Sequence, residues 1–456
     1  MFIGREKELF SMKNALTAVG TAVMVYGKRK VGKTTLIRQF LINQQEKYVY
    51  YECIKDSLEA NLDAFTKELF RGGIFPAAIS FPSFQELFVY LNSLPERLII
   101  VIDEYPYLKV MNDVLLVDSV FQNIIDNRLK NLNLILSGSH VGMMRSLLEE
   151  QNALYGRFRA VIQLAEFSYY EAQQFYPGKK PYDKIAFYSV FGGSPYVNEQ
   201  LDPDASVRQN IIRTVLNTGS SVSLYADNLL ISDYSNRINA ERIFAALQNG
   251  QMRYGELEKA LHMEKTGNLN RQLKVLTDMD IICRNNPVNR VDDTKKTTYS
   301  INDNLLRFYY SFIYKNKSAL QMLGADVFFD EYIGRSLTTY ISHRFEEICR
   351  DYFSRLAKSK ELPGIRNIGT LYYDDPVNRK NGEFDVALAY ADHYDVIEVK
   401  YLTRKLSVQE MRKEAEQIYA IPGIRIGKIG FISANGFEEV SGFSPCLTAE
   451  DLYREF

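Results

Sequence analysis

Gly27-Lys28-Arg29-Lys30-Val31-Gly32-Lys33-Thr34-Thr35 is the stretch whose reading decides the fold. Four residues separate its glycines, and Lys then Thr follow, which is the Walker A spacing. Gly27 and Gly32 permit the tight turn that converges successive N–H groups on a phosphate. Lys33 neutralises β and γ oxygens, and the Thr34 hydroxyl can ligate Mg²⁺. The flanks agree with this reading. Ala22-Val23-Met24-Val25-Tyr26 is a short apolar run of the buried parallel-strand type. Thr35-Leu36-Ile37-Arg38-Gln39-Phe40-Leu41 repeats apolar residues at helical spacing. The phosphates would then rest on a helix N-terminus. This strand–loop–helix frame predicts a nucleoside triphosphate site, with ATP as ligand and residues 27–35 as its cradle.

A second anchor follows. In Leu98-Ile99-Ile100-Val101-Ile102-Asp103-Glu104, five aliphatic residues end in two carboxylates. Such a run reads as a buried parallel strand that emerges at the ligand edge of the sheet. Asp103 is placed to hold the Mg²⁺ shell, and Glu104 to orient or deprotonate an attacking water. Asn133-Leu134-Ile135-Leu136-Ser137-Gly138-Ser139 repeats the design, and a strand beside the Asp103 strand would bring Ser137 or Ser139 to the γ-phosphate. Strands alternating with helical stretches predict an α/β fold, a P-loop-type parallel sheet with helices on both faces.

Composition sets the bounds. A chain of 456 residues suggests about three domains. The net charge of −1 offers no global field for nucleic acid or membrane, so a polyanion site must be a local patch. Cys53, Cys283, Cys349 and Cys446 lie far apart, which argues against a disulfide framework or a structural zinc. No apolar run approaches a membrane span and no signal-peptide core opens the chain, so a cytoplasmic location is expected. Nothing in the sequence fixes an oligomeric state.

The expected domains are residues 1–204, 205–318 and 319–456. In the middle one, an amphipathic helical stretch over residues 206–238 precedes three helices, around Ile243-Phe244, Tyr254–Leu261 and Leu269–Leu276. Two strands, Ile281–Arg284 and Thr297–Ile301, then bracket a loop with Arg290, Lys295 and Lys296. Three helices and a hairpin predict a winged helix. Asn268, Asn270, Arg271 and Lys274 could read a DNA major groove. Alternatively the module covers the nucleotide site, and its modestly basic face favours that second reading. Leu306–Tyr314, dense in aromatics, reads as core or an interdomain seam.

In the third domain, Gly382–Leu388 and Asp395–Lys400 read as two strands of a hairpin. Strand periodicity puts Glu398 and Lys400 on one face, with Asp385 across the hairpin. A helix with Ile341, Phe345, Ile348, Cys349 and Tyr352 on its apolar face carries Glu346 at its margin. Ser407-Val408-Gln409-Glu410 is a capping box. Asp385, Glu398 and Glu346 could gather hard oxygen ligands for Mg²⁺, and Lys400 could stabilise charge on a phosphate. Carboxylates and lysines across a hairpin are also common as a surface ion-pair ladder.

Several motifs in order carry a resemblance. They are the Walker A stretch, Asp103-Glu104, Leu134–Ser139, Leu154-Tyr155-Gly156-Arg157-Phe158, Ser168–Ala172 and Gly192-Gly193-Ser194-Pro195. Together they resemble the prokaryotic archaeal-type ATPases of the AAA/STAND group over nearly all of residues 1–204. The opening Phe2-Ile3-Gly4-Arg5-Glu6-Lys7-Glu8-Leu9 resembles the segment that folds over the adenine in such proteins. The resemblance implies that Gly193-Ser194-Pro195 lines the base pocket and that Arg157 acts as a charge sensor or arginine finger. The order helix-Glu346, Asp385, Glu398-x-Lys400, helix, strand resembles the PD-(D/E)xK nuclease core, a restriction-endonuclease-like α/β domain. It implies a nuclease-like C-terminal domain with DNA as a partner.

Overall fold

The computed structural model describes residues 2–77, 79–228, 237–263, 267–375, 380–440 and 442–456. The chain divides into two compact units, Met1–Glu166 and Phe167–Phe456.

In the first unit, α1 (Glu6–Thr17) leads to β1 (Ala22–Tyr26) and α2 (Lys33–Ile42). Next come β2 (Lys47–Glu52), α3 (Leu58–Arg71), α4 (Phe84–Ser93) and β3 (Leu98–Asp103). A 3-10 turn (Tyr105–Lys109) then precedes α5 (Val114–Asn127), β4 (Leu132–Gly138), α6 (Val141–Ser146) and β5 (Ala160–Gln163). The five strands form one parallel sheet in the order β2-β3-β4-β1-β5. Every residue of β1, β3 and β4 is buried, which is why these strands read as continuous apolar runs rather than alternating ones. Alternation persists in which core each residue joins. Met24, Ile100 and Leu136 pack on one face of the sheet with Phe65, Phe88 and Phe121. Val25, Val101 and Ile135 pack on the other with Met12, Leu36 and Phe40. Because β4 lies between β1 and β3, it pairs in register with both. Val25 stands beside Ser137, and Ile102 beside Leu136.

Among the described residues the second unit holds two sheets. Helices Arg237–Ala246, Tyr254–Leu261 and Asn268–Asp278 accompany a small antiparallel sheet of β6 (Met252–Arg253), β7 (Ile282–Asn285) and β8 (Thr298–Ile301), ordered β6-β8-β7. Residues 229–236 of the amphipathic stretch lie outside the described residues. The remainder is a short α turn, a π turn (Ile211–Val215) and the helix Ser221–Asn228. The aromatic run forms the helix Asn304–Phe312, with Leu305, Leu306, Phe308, Tyr309, Tyr310 and Phe312 buried.

The larger sheet is mixed, in the order β13-β12-β11-β10-β9. Its strands are β9 (Asn367–Asp375), β10 (Lys380–Ala389), β11 (Tyr394–Lys400), β12 (Ile426–Ser433) and β13 (Cys446–Thr448). β9, β10 and β11 run antiparallel, and β11, β12 and β13 parallel. One face packs on the long helix Arg335–Lys358 through Phe345, Cys349, Val386 and Ile397. The other packs on the helix Val408–Tyr419 through Met411, Ile418, Val396 and Phe431. Tyr169, Ile185 and Ala186 join the first of these cores, so the boundary expected near residue 204 falls inside this unit.

Candidate nucleotide site and a second carboxylate cluster

The loop between β1 and α2 is shaped by close packing. A Cβ on Gly27 would fall 2.1 Å from the Leu164 carbonyl oxygen, so no larger residue fits without moving backbone. Gly32 takes φ 94° and directly precedes Lys33, the first residue of α2. The first-turn N–H groups of α2 therefore face the loop, where they have no intrahelical acceptors and suit an anion. Val31 is buried. Lys33 is 6% exposed and its Nζ donates to the carbonyls of Gly27 and Lys28, at 3.0 and 2.9 Å. The lysine thus lies folded along the loop it serves. Lys28 lies 3.9 Å from Glu166, Arg29 donates to the Tyr107 hydroxyl at 2.8 Å, and Lys30 adopts φ 64°. Thr35, the third residue of α2, is exposed.

The opening segment reaches this loop. Gly4 and Arg5 both take left-handed conformations, at φ 61° and 69°. Arg5 Nη2 donates to the carbonyls of Ala165, at 2.7 Å, and Val31, at 3.4 Å. A buried guanidinium thereby ties the N-terminal residues to the loop.

Asp103 ends β3 and is 2% exposed. Its Oδ2 accepts the Thr34 hydroxyl at 3.0 Å and also the Tyr50 hydroxyl, while Oδ1 accepts the Glu104 N–H at 3.0 Å. Burial, and then the Asp103 charge beside it, push the Tyr50 phenol well above its ordinary range. Tyr50 carries no motif. Its place was legible only once β2 was known to pair with β3, which sets Tyr50 beside Val101. Ser139, just past β4, donates to Glu104 Oε2 from both its N–H, at 3.1 Å, and its hydroxyl, at 2.9 Å. Ser137 is fully buried, and its Oγ has no hydrogen-bond partner among the described residues. Lys33, Thr34, Asp103, Glu104 and Ser139 thus meet at one edge of the sheet.

Arg157 stands elsewhere. Its Nε lies 2.9 Å and 3.1 Å from the two Asp126 carboxylate oxygens, and its Nη2 2.9 Å from Oδ2. A bidentate pair with the last turn of α5 holds the guanidinium expected to act as a sensor or finger. Pro195 opens the short helix Pro195–Asn198 in the second unit. Behind it, a Cβ on Gly193 would clash with the Phe167 backbone at 1.8 Å.

In the second unit, the paired stretch of β10 and β11 ends at Val386 and Ile397; Asp385 and Glu398 are the next residues on the two strands, close enough that the Glu398 charge bears on the Asp385 carboxyl. The pairing of β10 with β9 shifts between Phe384 and Ala387, a bulge that spans Asp385. Bulges of this kind re-aim a side chain. Arg350, from the long helix, donates to the Asp385 carbonyl at 2.5 Å and pins the bulge. Lys400 Nζ lies 2.7 Å from Glu398 and 3.1 Å from Glu414, a partner on the helix that begins at Val408. His343 Nδ1 lies 3.3 Å from Glu346. Burial, then the Glu346 and Glu398 charges, push the Asp385 carboxyl up to about 7. Burial also raises Glu398, with Lys400 working against it. A cleft of about 730 Å³ is lined by Arg335, Tyr340, His343, Glu346, Arg350 and Asp385, among others. Among the described residues no three His, Cys, Asp or Glu side chains gather closely enough to hold a metal ion. Glu346, Asp385 and Glu398 feel one another's charge, but a lysine occupies Glu398 and a histidine Glu346.

A P-loop with its Thr34–Asp103 contact, on a parallel sheet that inserts β4 between β1 and β3, defines a P-loop ATPase domain. Comparison with known proteins agrees. Residues 2–201 match a family described as an ATPase domain predominantly from Archaea, and residues 309–415 one described as archaeal and bacterial proteins of unknown function. The chain therefore carries an archaeal-type P-loop ATPase domain followed by a distinct C-terminal domain. An uncharacterized protein of Methanocaldococcus jannaschii, MJECL04, is 27% identical over 80% of both chains. The Walker-type ATPase PABY2304 of Pyrococcus abyssi matches in fold, with TM-score 0.52 and 18% identity, over 68% of this chain and 96% of that one. The Aeropyrum pernix ORC2 protein, in its ADPNP–ADP complexes, gives TM-score 0.44 and 12% identity over 70% and 95%. Among the described residues no helix is long and apolar enough to cross a membrane.

Proposed function

We propose that this chain is a Mg²⁺-dependent ATPase whose nucleotide cycle governs a nuclease-like C-terminal site acting on DNA. The observation that carries the ATPase half is the 3.0 Å contact between the Thr34 hydroxyl and Asp103. It places two hard oxygen donors at the mouth of an amide cradle, the donor set that Mg²⁺ prefers. When bound, Mg²⁺ would neutralise charge on the β and γ oxygens. The chain's own residues do the rest. The N–H groups of residues 27–35 bind phosphate, and Lys33 turns from loop carbonyls to phosphate oxygens. Glu104, held by Ser139, orients a water and takes its proton. Arg157 would join only by exchanging Asp126 for phosphate. The test is release of inorganic phosphate from ATP with Mg²⁺ and with a chelator, in the parent and in Lys33→Ala. Turnover that survives either change would overturn the reading.

The nuclease half rests on Asp385 and Glu398, which flank the end of the β10–β11 pairing and act on each other's charge, with Lys400 paired to Glu398. Their crowded charge favours a divalent cation, and the winged-helix-like sheet would present DNA. A second reading keeps the fold without cleavage. In that reading the chain is a nucleotide-gated binding protein, which the engagement of Lys400 by Glu398 and Glu414 favours. Nicking of plasmid DNA in Mg²⁺ or Mn²⁺ separates the two.

A further inference from the structure

Glu104 sits at φ 52° and ψ 43°, a left-handed conformation that a residue with a Cβ keeps only where its surroundings over-determine it. The turn it opens is tightly held. Both ends of the 3-10 turn Tyr105–Lys109 are held by one carboxylate. Tyr105 donates its hydroxyl to Asp118 Oδ1 at 2.8 Å. Lys109 Nζ lies 2.6 Å from Oδ1 and 2.8 Å from Oδ2 of the same residue. Asn152 completes the set, donating to Oδ2 at 2.9 Å. The Lys109 and Asp118 side chains are each 1% exposed. Between the two ties, Pro106 packs against β4 so closely that a Cβ on Gly138 would fall 2.6 Å from its ring.

A buried ion pair is a weak source of stability, because lost hydration offsets most of the attraction. Burial pulls the Lys109 ammonium below its ordinary range even with Asp118 in contact. Apolar side chains of similar volume would fill the space at least as well. What a carboxylate with three donors supplies, and a greasy pair does not, is direction. We propose that Asp118, with Lys109, Tyr105 and Asn152, is a positioning centre for Glu104. It fixes the turn that starts at Glu104, and so fixes where that carboxylate stands against Ser139 and the nucleotide. Asp118 acts through the turn; its hydrogen-bond partners among the described residues are Tyr105, Lys109 and Asn152. The inference rests on the reading of Glu104 as the group that activates water.

The experiment compares the full-length parent with Lys109→Met/Asp118→Leu, with Tyr105→Phe and with Glu104→Gln. It reads kcat and KM for ATP, affinity for a labelled ATP analogue, and the thermal melt. The double variant is expected to melt cooperatively and bind the analogue as the parent does, with kcat reduced about tenfold or more. Tyr105→Phe, which removes one tie, is expected to lose kcat by about two- to fivefold at unchanged KM. A folded double variant with parent kcat overturns the proposal, as does a joint loss of kcat and affinity, the mark of general loosening. Should the double variant not fold, Tyr105→Phe decides by the same split. Parent-like turnover in Glu104→Gln would instead remove the reading of Glu104 itself.

Discussion

Ser139 donates twice to Glu104 Oε2, from its N–H at 3.1 Å and from its hydroxyl at 2.9 Å, and so ties the end of β4 to the end of β3. Two donors of Ser139 converge on one oxygen of Glu104, a residue that the sequence motifs place after a different strand. A Glu104→Gln variant keeps an acceptor for Ser139 but cannot take a proton. ATP binding should persist while kcat falls by about 10²- to 10⁴-fold. Ser139→Ala removes one of the two donors and should cost about fivefold, ~1 kcal/mol, in kcat. Phosphate release and analogue titration check both, and a fully active Glu104→Gln would refute the assignment.

Gly27→Ala tests the packing of the cradle rather than its chemistry. The added Cβ would lie 2.1 Å from a backbone oxygen of Leu164, and backbone cannot swing aside as a side-chain tip can. The expected result is destabilisation of about 1–3 kcal/mol with weakened analogue binding. A melt and a titration check it, and parent-like values in both would show that the approach is slacker than the structure has it.

The pH response of the second site follows from Asp385. Burial, Glu346 and Glu398 raise its carboxyl to about 7 in the folded chain, far above its unfolded value near 3.9. The folded state therefore holds a proton the unfolded state releases. Stability from this group is present at low pH and is lost as pH climbs through 7. Asp385→Asn carries no such loss, so its melt should gain on the parent between pH 5 and 8, on the order of 1–2 kcal/mol after allowance for solvent screening. Mn²⁺ should restore the parent and leave the variant unmoved. A constant difference across that range would contradict the coupling.

How much of this was legible beforehand depends on the distance over which each contact is made. The cradle, the strand ending in Asp103-Glu104 and the capping box at Ser407–Glu410 are local, and each is written in consecutive residues. The order of the sheet is not local. Nothing in Leu132–Gly138 states that it lies between β1 and β3, and that placement is what brings Ser139 to Glu104. Arg157 shows the reverse case. The resemblance implied a charge sensor or arginine finger, and the structure pairs Arg157 with Asp126, 31 residues away on another element. Nothing in the sequence singles out Lys109 and Asp118, because a buried pair leaves no signature in periodicity. Lys400 was found, but its second partner Glu414 lies on a helix that sequence spacing does not orient.

That second partner gives the last prediction a direction that motif reasoning alone would not. Lys400 Nζ holds Glu398 at 2.7 Å and Glu414 at 3.1 Å, and the lysine side chain is 28% exposed. In Lys400→Ala both carboxylates lose their counter-charge, and Glu414 is already among the causes that raise Glu398. A lone Glu398 facing Asp385 is a better cation site than one neutralised by an ammonium. Mn²⁺ affinity should therefore rise by a few-fold, ~1 kcal/mol, while plasmid nicking falls below detection because no cation-bearing side chain remains at that position. Calorimetric titration of Mn²⁺ and an agarose nicking assay read the two effects separately. If Lys400 serves only as one rung of an ion-pair ladder, Mn²⁺ affinity will not change and neither protein will cut. Loss of metal binding with loss of Lys400 would mean that the lysine builds the carboxylate pair rather than competing with its cation.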